Sequence, residues 1–195
     1  MKQKAKAARF TRKPKPTILI LTEGETEVNY FKELIRLLNL TSVTVEKSKN
    51  QDLAGAIKYA KKERKKDADI IYVVGDFEIN PNQKDKQPDQ FNDPKVIVCT
   101  SNPCFEVWLL LHYVYTTKPF GSCDQVRKEL RKFLPGYTKP NIPHELVELR
   151  TQAVEYGKKL HKHQNESGLP EEPRLCNPYS DVFLVVEKLA PVAVE

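Results

Sequence analysis

Two groups of acids in the chain have the type and spacing for chemistry. Glu23, Glu25 and Glu27 lie within Thr22-Glu23-Gly24-Glu25-Thr26-Glu27, and Asp76 and Glu78 lie within Gly75-Asp76-Phe77-Glu78. Carboxylates that converge raise one another's pKa, and a divalent cation relieves the repulsion. An oxygen-only set with no His or Cys beside it suits Mg²⁺ or Mn²⁺, which keep waters and accept phosphate oxygens. The expected chemistry is the binding of such a cation between the two groups, with phosphate oxygens among its ligands. Plainer readings stay open. Glu25 and Glu27 can serve only a helix N-terminus, and Asp76 and Glu78 can be turn acids.

Each group follows an apolar run. Thr17-Ile18-Leu19-Ile20-Leu21 and Asp69-Ile70-Ile71-Tyr72-Val73-Val74-Gly75 have the pattern of strands buried on both faces of a parallel sheet. Residues 42–48 alternate as a further strand, and 95–100 form a fourth. Helices are predicted over 27–40, with Thr26 as N-cap, and over 52–66. Another is opened by Asn102-Pro103, with Asn102 capping and Pro103 in the first turn. Residues 79–94 are polar, contain three prolines and read as a loop. The remainder is helical, at 122–134, 144–164 and 179–189. This alternation predicts an α/β fold: a mostly parallel four-stranded sheet flanked by helices, with a helical C-terminal part. It divides the chain into an arm (1–16), a core (17–116) and a helical region packed on the same domain (117–195).

Open α/β sheets bind ligands beyond the carboxyl ends of their strands, which is where both acidic groups fall. If the first and third strands are neighbours, their carboxylates converge. The helix after the fourth strand opens near the same edge. Glu106, one turn into it, is therefore a candidate further ligand or orienting group, or else a solvated helix acid. Trp108 and its leucines read as core. His161 and His163 sit in a Lys-rich helix and read as solvated surface.

The chain has 195 residues, 39% of them hydrophobic, and a net charge of +6. Seven bases and no acid fall in residues 1–16, which leaves 25 bases against 26 acids elsewhere. The pI of 9.0 thus describes an arm, and a uniformly cationic DNA-wrapping protein is not expected. Candidate phosphate contacts are Lys13 and Lys15 of the arm and Lys61, Lys62, Arg64, Lys65 and Lys66; the plainer reading of both clusters is a solubilising surface. With seven glycines there is no phosphate-binding P-loop and no G-x-G-x-x-G dinucleotide motif. Four cysteines form no C-x-x-C pair, which removes zinc-site spacing and fits reduced thiols in a cytoplasm. No apolar run reaches the ~18 residues of a membrane span, and the N-terminus lacks a signal-peptide stretch. A cytoplasmic protein with no membrane contact is expected.

A buried strand ending in Glu-Gly, followed by a later strand ending in Asp-x-acid, resembles the Toprim domain of topoisomerases, bacterial primases and OLD-type nucleases. Two longer segments resemble the RloB-like family. They are Ile18-Leu19-Ile20-Leu21-Thr22-Glu23-Gly24-Glu25-Thr26-Glu27-Val28-Asn29-Tyr30-Phe31 and Ser101-Asn102-Pro103-Cys104-Phe105-Glu106-Val107-Trp108-Leu109-Leu110-Leu111-His112. Asn177-Pro178-Tyr179-Ser180 and the basic leader also fit. The resemblance implies a Mg²⁺- or Mn²⁺-dependent nuclease acting on nucleic acid, a role in phage defence by abortive infection, and an ATPase partner. By it, Glu23 matches the Toprim glutamate, a general acid/base or metal ligand, and Asp76 and Glu78 match the Asp-x-Asp metal pair. The chain departs from the family's Asp-Arg-Asp pattern. Glu78 is one methylene longer, and Phe77 replaces the basic residue. That departure motivates a rival reading, a catalytically silent Toprim-like subunit that binds nucleic acid or the ATPase as sensor or scaffold. A phospho-acceptor receiver domain also places acids after strands one and three, but it expects a lysine ending a fifth strand, and none is legible.

Overall fold

The computed structural model describes residues 15–50, 52–77, 93–168 and 175–190. Lys13, Glu78 and most of the expected loop at 79–94 lie outside the described residues.

β1 (Ile18–Thr22) pairs in parallel with β2 (Val43–Lys47) on one side and β3 (Ile70–Asp76) on the other, and β3 pairs in parallel with β4 (Val96–Asn102). Among the described residues the helices are α1 (Glu25–Leu37), α2 (Leu53–Tyr59), α3 (Glu106–Leu111), α4 (Cys123–Leu130), α5 (His144–Glu148), α6 (Arg150–Glu166) and α7 (Phe183–Leu189). A π-helical turn, Ala60–Arg64, continues α2. The expected mostly parallel sheet flanked by helices is therefore present. It is one strand wider than expected. β5 (Tyr179–Ser180) adds antiparallel to β4, giving the order β2-β1-β3-β4-β5. Residues 179–180 were expected to be helical. They are drawn into the sheet because Ser180 shares a hydroxyl hydrogen bond of 3.0 Å with Ser101, and the Asp181 carboxylate accepts from the Thr100 amide. α7 starts only after this anchor. Asp181 and Val182 follow β5, so it ends in no lysine.

Successive side chains of β1 enter different cores, as the two-residue period of a strand requires. Ile18 and Ile20 join Tyr30, Phe31 and Leu34 of α1, Trp108 of α3 and apolar residues of α4 to α7. Leu19 and Leu21 join Ile71, Val73, Val96 and Val98 against Ala56, Ile57 and Ala60. Burial on both faces is why these strands read as unbroken apolar runs. The C-terminal helices share the larger core with the sheet.

Two helix starts differ from expectation. α1 begins at Glu25 with Gly24 as its N-cap, so Thr26 sits buried in the first turn. α3 begins at Glu106 with Phe105 as N-cap. Asn102 cannot cap it, because β4 runs through Asn102 and pairs it with Tyr179. Glu106 is thus the first helical residue rather than one turn in. His161 is also not a solvated side chain. Its ring stacks on Tyr179 at 4.8 Å and meets the edge of Phe183 at 4.9 Å, whereas His163 is exposed.

Candidate functional site

Because β1 and β3 are neighbours, the residues at their ends share one sheet edge. The Glu23 amide donates to the Val74 carbonyl at 3.1 Å, extending the parallel pairing past β1. The Asp76 amide then donates to Glu23 Oε2 at 3.2 Å. Asp76 Oδ1 accepts from the Phe105 amide at 2.8 Å, so the start of α3 orients that carboxylate. Two glycines make room. A Cβ on Gly75 would lie 2.6 Å from Glu23 Oε2, and one on Gly24 would lie 2.5 Å from Glu27 Oε2. Both acids fold back over backbone that only glycine leaves open.

Glu27 and Glu106 complete the cluster. Glu27, in the first turn of α1, is 5% exposed, and its Oε2 has no hydrogen-bond partner among the described residues. Serving a helix N-terminus does not account for that burial. Glu25 instead points outward to Lys47 at 3.3 Å. Glu106 is fully buried. Its Oε1 receives Lys139 Nζ at 2.9 Å and Arg127 at 3.4 Å, with the Tyr137 hydroxyl at 3.5 Å. Its Oε2 has no partner among the described residues.

These acids sense one another. Burial holds the Asp76 carboxyl well above its usual range, and the charges of Glu27, Glu23 and Glu106 add to this while Lys139 opposes it. Burial likewise raises Glu27, against its own backbone hydrogen bond and Lys139, with Glu106 and Glu23 adding to the rise. For Lys139, burial acts downward, but the hydrogen bond and charge of Glu106 outweigh it and hold the ammonium above its ordinary value.

An oxygen-only cluster in which the Asp76 and Glu27 carboxyls are raised fits a hard divalent cation in donor chemistry, and the two partnerless carboxylate oxygens point the same way. Among the described residues, however, no three His, Cys, Asp or Glu side chains are gathered as a metal-holding group. Glu23 and Asp76 are brought together, and Glu78, the expected third ligand, lies outside the described residues.

The basic cluster is placed elsewhere. α2 begins beside the acids, since Leu53 is close to Gly75, and the turn that continues it leads back to the start of β3. Arg64 is held by Glu46, which pairs with Leu21 near the carboxyl end of β2, and by Asp67, each at 2.5 Å, and Lys65 is held by Asp93 at 2.7 Å. Asp67 and Asp93 precede β3 and β4. Lys62 and Lys66 are exposed, Lys61 is half-buried and Lys15 is exposed. The cations that do reach the acids, Lys139 and Arg127, were missed by sequence reasoning. Lys139 sits in Tyr137-Thr138-Lys139-Pro140, a segment with no periodicity to place it.

An α/β sheet carrying acids at the carboxyl ends of two adjacent parallel strands, completed by a glutamate at the next helix start, defines the class of site. The chain belongs to the RloB-like protein family, whose model matches residues 18–189, from the start of β1 to the end of α7. No curated protein matches it, and no solved structure does. Among the described residues no helix is long and apolar enough to cross a membrane.

Proposed function

We propose that this RloB-like protein is a Toprim-type, Mg²⁺- or Mn²⁺-dependent nuclease that cleaves phosphodiester bonds in nucleic acid. We place it in cytoplasmic phage defence by abortive infection, alongside an ATPase partner. The observation that carries the reading is the tie between the Asp76 amide and the Glu23 carboxylate at the ends of adjacent strands. Glu23 and Asp76, with Glu78, are the residues that would hold the ion. Bound there, such an ion would supply positive charge for the scissile phosphate and an activated water.

The chain's own side chains prepare that chemistry. Asp76 is oriented by the Phe105 amide, and Glu23 is fixed over Gly75. Glu23 has the place for a proton-transfer role beside the phosphate, and Glu106 anchors the cations at the rim. The basic arm, with Lys13 and Lys15, supplies sequence-independent attraction for phosphates.

The second reading is a catalytically silent subunit that binds nucleic acid or the ATPase as sensor or scaffold. It is favoured by the Asp-Phe-Glu departure. Cleavage of RNA and DNA with Mg²⁺ and with Mn²⁺, compared between wild type, Glu23→Gln and Asp76→Asn, separates the two. Metal-dependent cleavage lost in both variants supports the nuclease; equal activity in all three proteins overturns it.

A further inference from the structure

Glu106 is fully buried, yet both cations that neutralise it reach in from the surface. The Lys139 side chain is 46% exposed and that of Arg127 24% exposed. Both meet the same oxygen, Oε1, while Oε2 has no partner among the described residues. A carboxylate held only to stabilise the fold gains from satisfying both oxygens, because a buried unpaired acceptor carries its full desolvation cost.

The segment that delivers Lys139 is fastened at several points. Asn29 of α1 donates to the Pro140 carbonyl at 3.0 Å. Arg131 donates to the Tyr137 carbonyl at 3.2 Å, and the Tyr137 hydroxyl meets Glu106. This strap, between α4 and α5, crosses from the helical part of the chain to the sheet edge. It fixes an ammonium whose charge is felt by Asp76 and Glu27. Arg127, which also pairs with the exposed Asp124 of its own helix at 2.5 Å, adds a guanidinium from α4, and the two cations together suit a phosphate better than the one Glu106 oxygen they share. Phosphate offers several acceptor oxygens, which an Arg fork and a Lys point charge can share.

We propose that Lys139 and Arg127 are the phosphate-contacting cations of the acidic site, and that Glu106 holds them in place until a substrate phosphate displaces it. This deepens the nuclease reading and rests on it only for the identity of the substrate as nucleic acid. The cations and the carboxylates then divide the work. The first attract and orient the phosphodiester that an acidic pocket would repel, and releasing them frees the Glu106 carboxylate beside Asp76.

The test uses the full chain in EDTA, with a short fluorescein-labelled single-stranded RNA and the matching DNA as probes, read by fluorescence polarisation across a salt series. Lys139→Met weakens binding about tenfold, the scale of one charge-assisted contact, and flattens the salt slope by ~0.7. Lys139→Arg restores both. Glu106→Gln tightens binding, because Lys139 is no longer held by a carboxylate, while Arg127 keeps its ion pair with Asp124. If Lys139→Met alone fails to fold, Glu106→Gln/Lys139→Met removes both charges of the pair, and it too binds weakly. Wild-type binding in Lys139→Met or in the double variant, with only the melting temperature changed, overturns the proposal. Mg²⁺-dependent cleavage is measured in parallel. Absent cleavage with the expected binding pattern defeats the nuclease reading and leaves the phosphate contacts standing. Cleavage with unaltered binding does the reverse.

Discussion

The backbone amide of Asp76 donates to the side chain of Glu23 at 3.2 Å. The end of β3 thereby holds the acid that leaves β1, and two carboxylates from distant parts of the chain are set side by side by strand pairing. The paired register continues to this edge, with Thr22 opposite Val74. The geometry is thus a consequence of the sheet and not of a flexible loop.

That relationship separates charge from fold. In Glu23→Gln the amide oxygen can still accept from Asp76, so the melting temperature should stay near that of wild type. Mn²⁺ affinity should fall by about 10–100-fold, at least what disturbing a supporting ligand costs. Isothermal titration with Mn²⁺ checks this, and unchanged affinity would remove Glu23 from the ion site.

Gly75→Ala probes the same contact from the other side. The added methyl would lie 2.6 Å from Glu23 Oε2 and 3.2 Å from Leu53 Cδ1. The flexible end of Glu23 yields more readily than the backbone, so the carboxylate swings away from Asp76. Mn²⁺ affinity should drop about as much as in Glu23→Gln, with ~1 kcal/mol or less of stability lost in urea unfolding, since the crowded atoms are mostly a mobile side-chain tip. A large stability loss with intact metal binding would contradict this account.

Strand identity and strand end were legible in the sequence, because runs such as Ile18–Leu21 can be buried on both faces only in a covered parallel sheet. That logic also put Glu23, Asp76 and Glu106 at one edge. β5 was not legible. Two residues carry no period, and they are fixed by partners in β4 some eighty positions earlier, such as Ser101. The start of α3 was misread because Asn102-Pro103 has the local chemistry of a helix opening, while strand pairing with Tyr179 overrides it. Lys139 and Arg127 were invisible for the opposite reason. Their role is set by where the strap and α4 pack, and no local spacing encodes that. Glu27 had a visible signal, one helical turn beyond Glu23, but a dipole role explained it equally well.

A buried histidine makes stability depend on pH. His112 Nδ1 lies 3.0 Å from the Trp108 carbonyl, which can only accept, so Nε2 accepts from the Tyr30 hydroxyl at 3.1 Å. Burial pulls the imidazole down from 6.5 to about 4. Between those values the unfolded chain binds a proton that the folded chain does not. Stability is therefore complete above about pH 6.5 and declines as pH falls toward 4, by roughly 3 kcal/mol in all and about 2 kcal/mol by pH 5. His161, lowered to about 4 by burial, acts in the same direction. Urea midpoints at pH 7 and pH 5 for wild type and His112→Asn measure it, and an undiminished pH dependence in the variant would place the effect elsewhere. Tyr30→Phe should cost about 1–3 kcal/mol at pH 7 by leaving Nε2 without its donor.

Thr17 ties the start of the fold down, because its amide and hydroxyl donate to Asp69 at 2.8 and 2.9 Å. Deleting residues 2–15 stops short of that anchor and removes all seven leading bases. The melting temperature should therefore hold, while nucleic-acid binding weakens. Each base that neutralises a phosphate of a single strand contributes ~0.7 to the salt slope, so the slope should flatten by up to ~5 if all seven bind. The loss should be uniform across sequences, since such contacts position a nucleic acid without reading it. Polarisation titrations of wild type and the deletion at several salt concentrations decide the matter. An unchanged slope would make the arm a solubilising segment and leave attraction of phosphate to Lys139, Arg127 and the exposed lysines that follow α2.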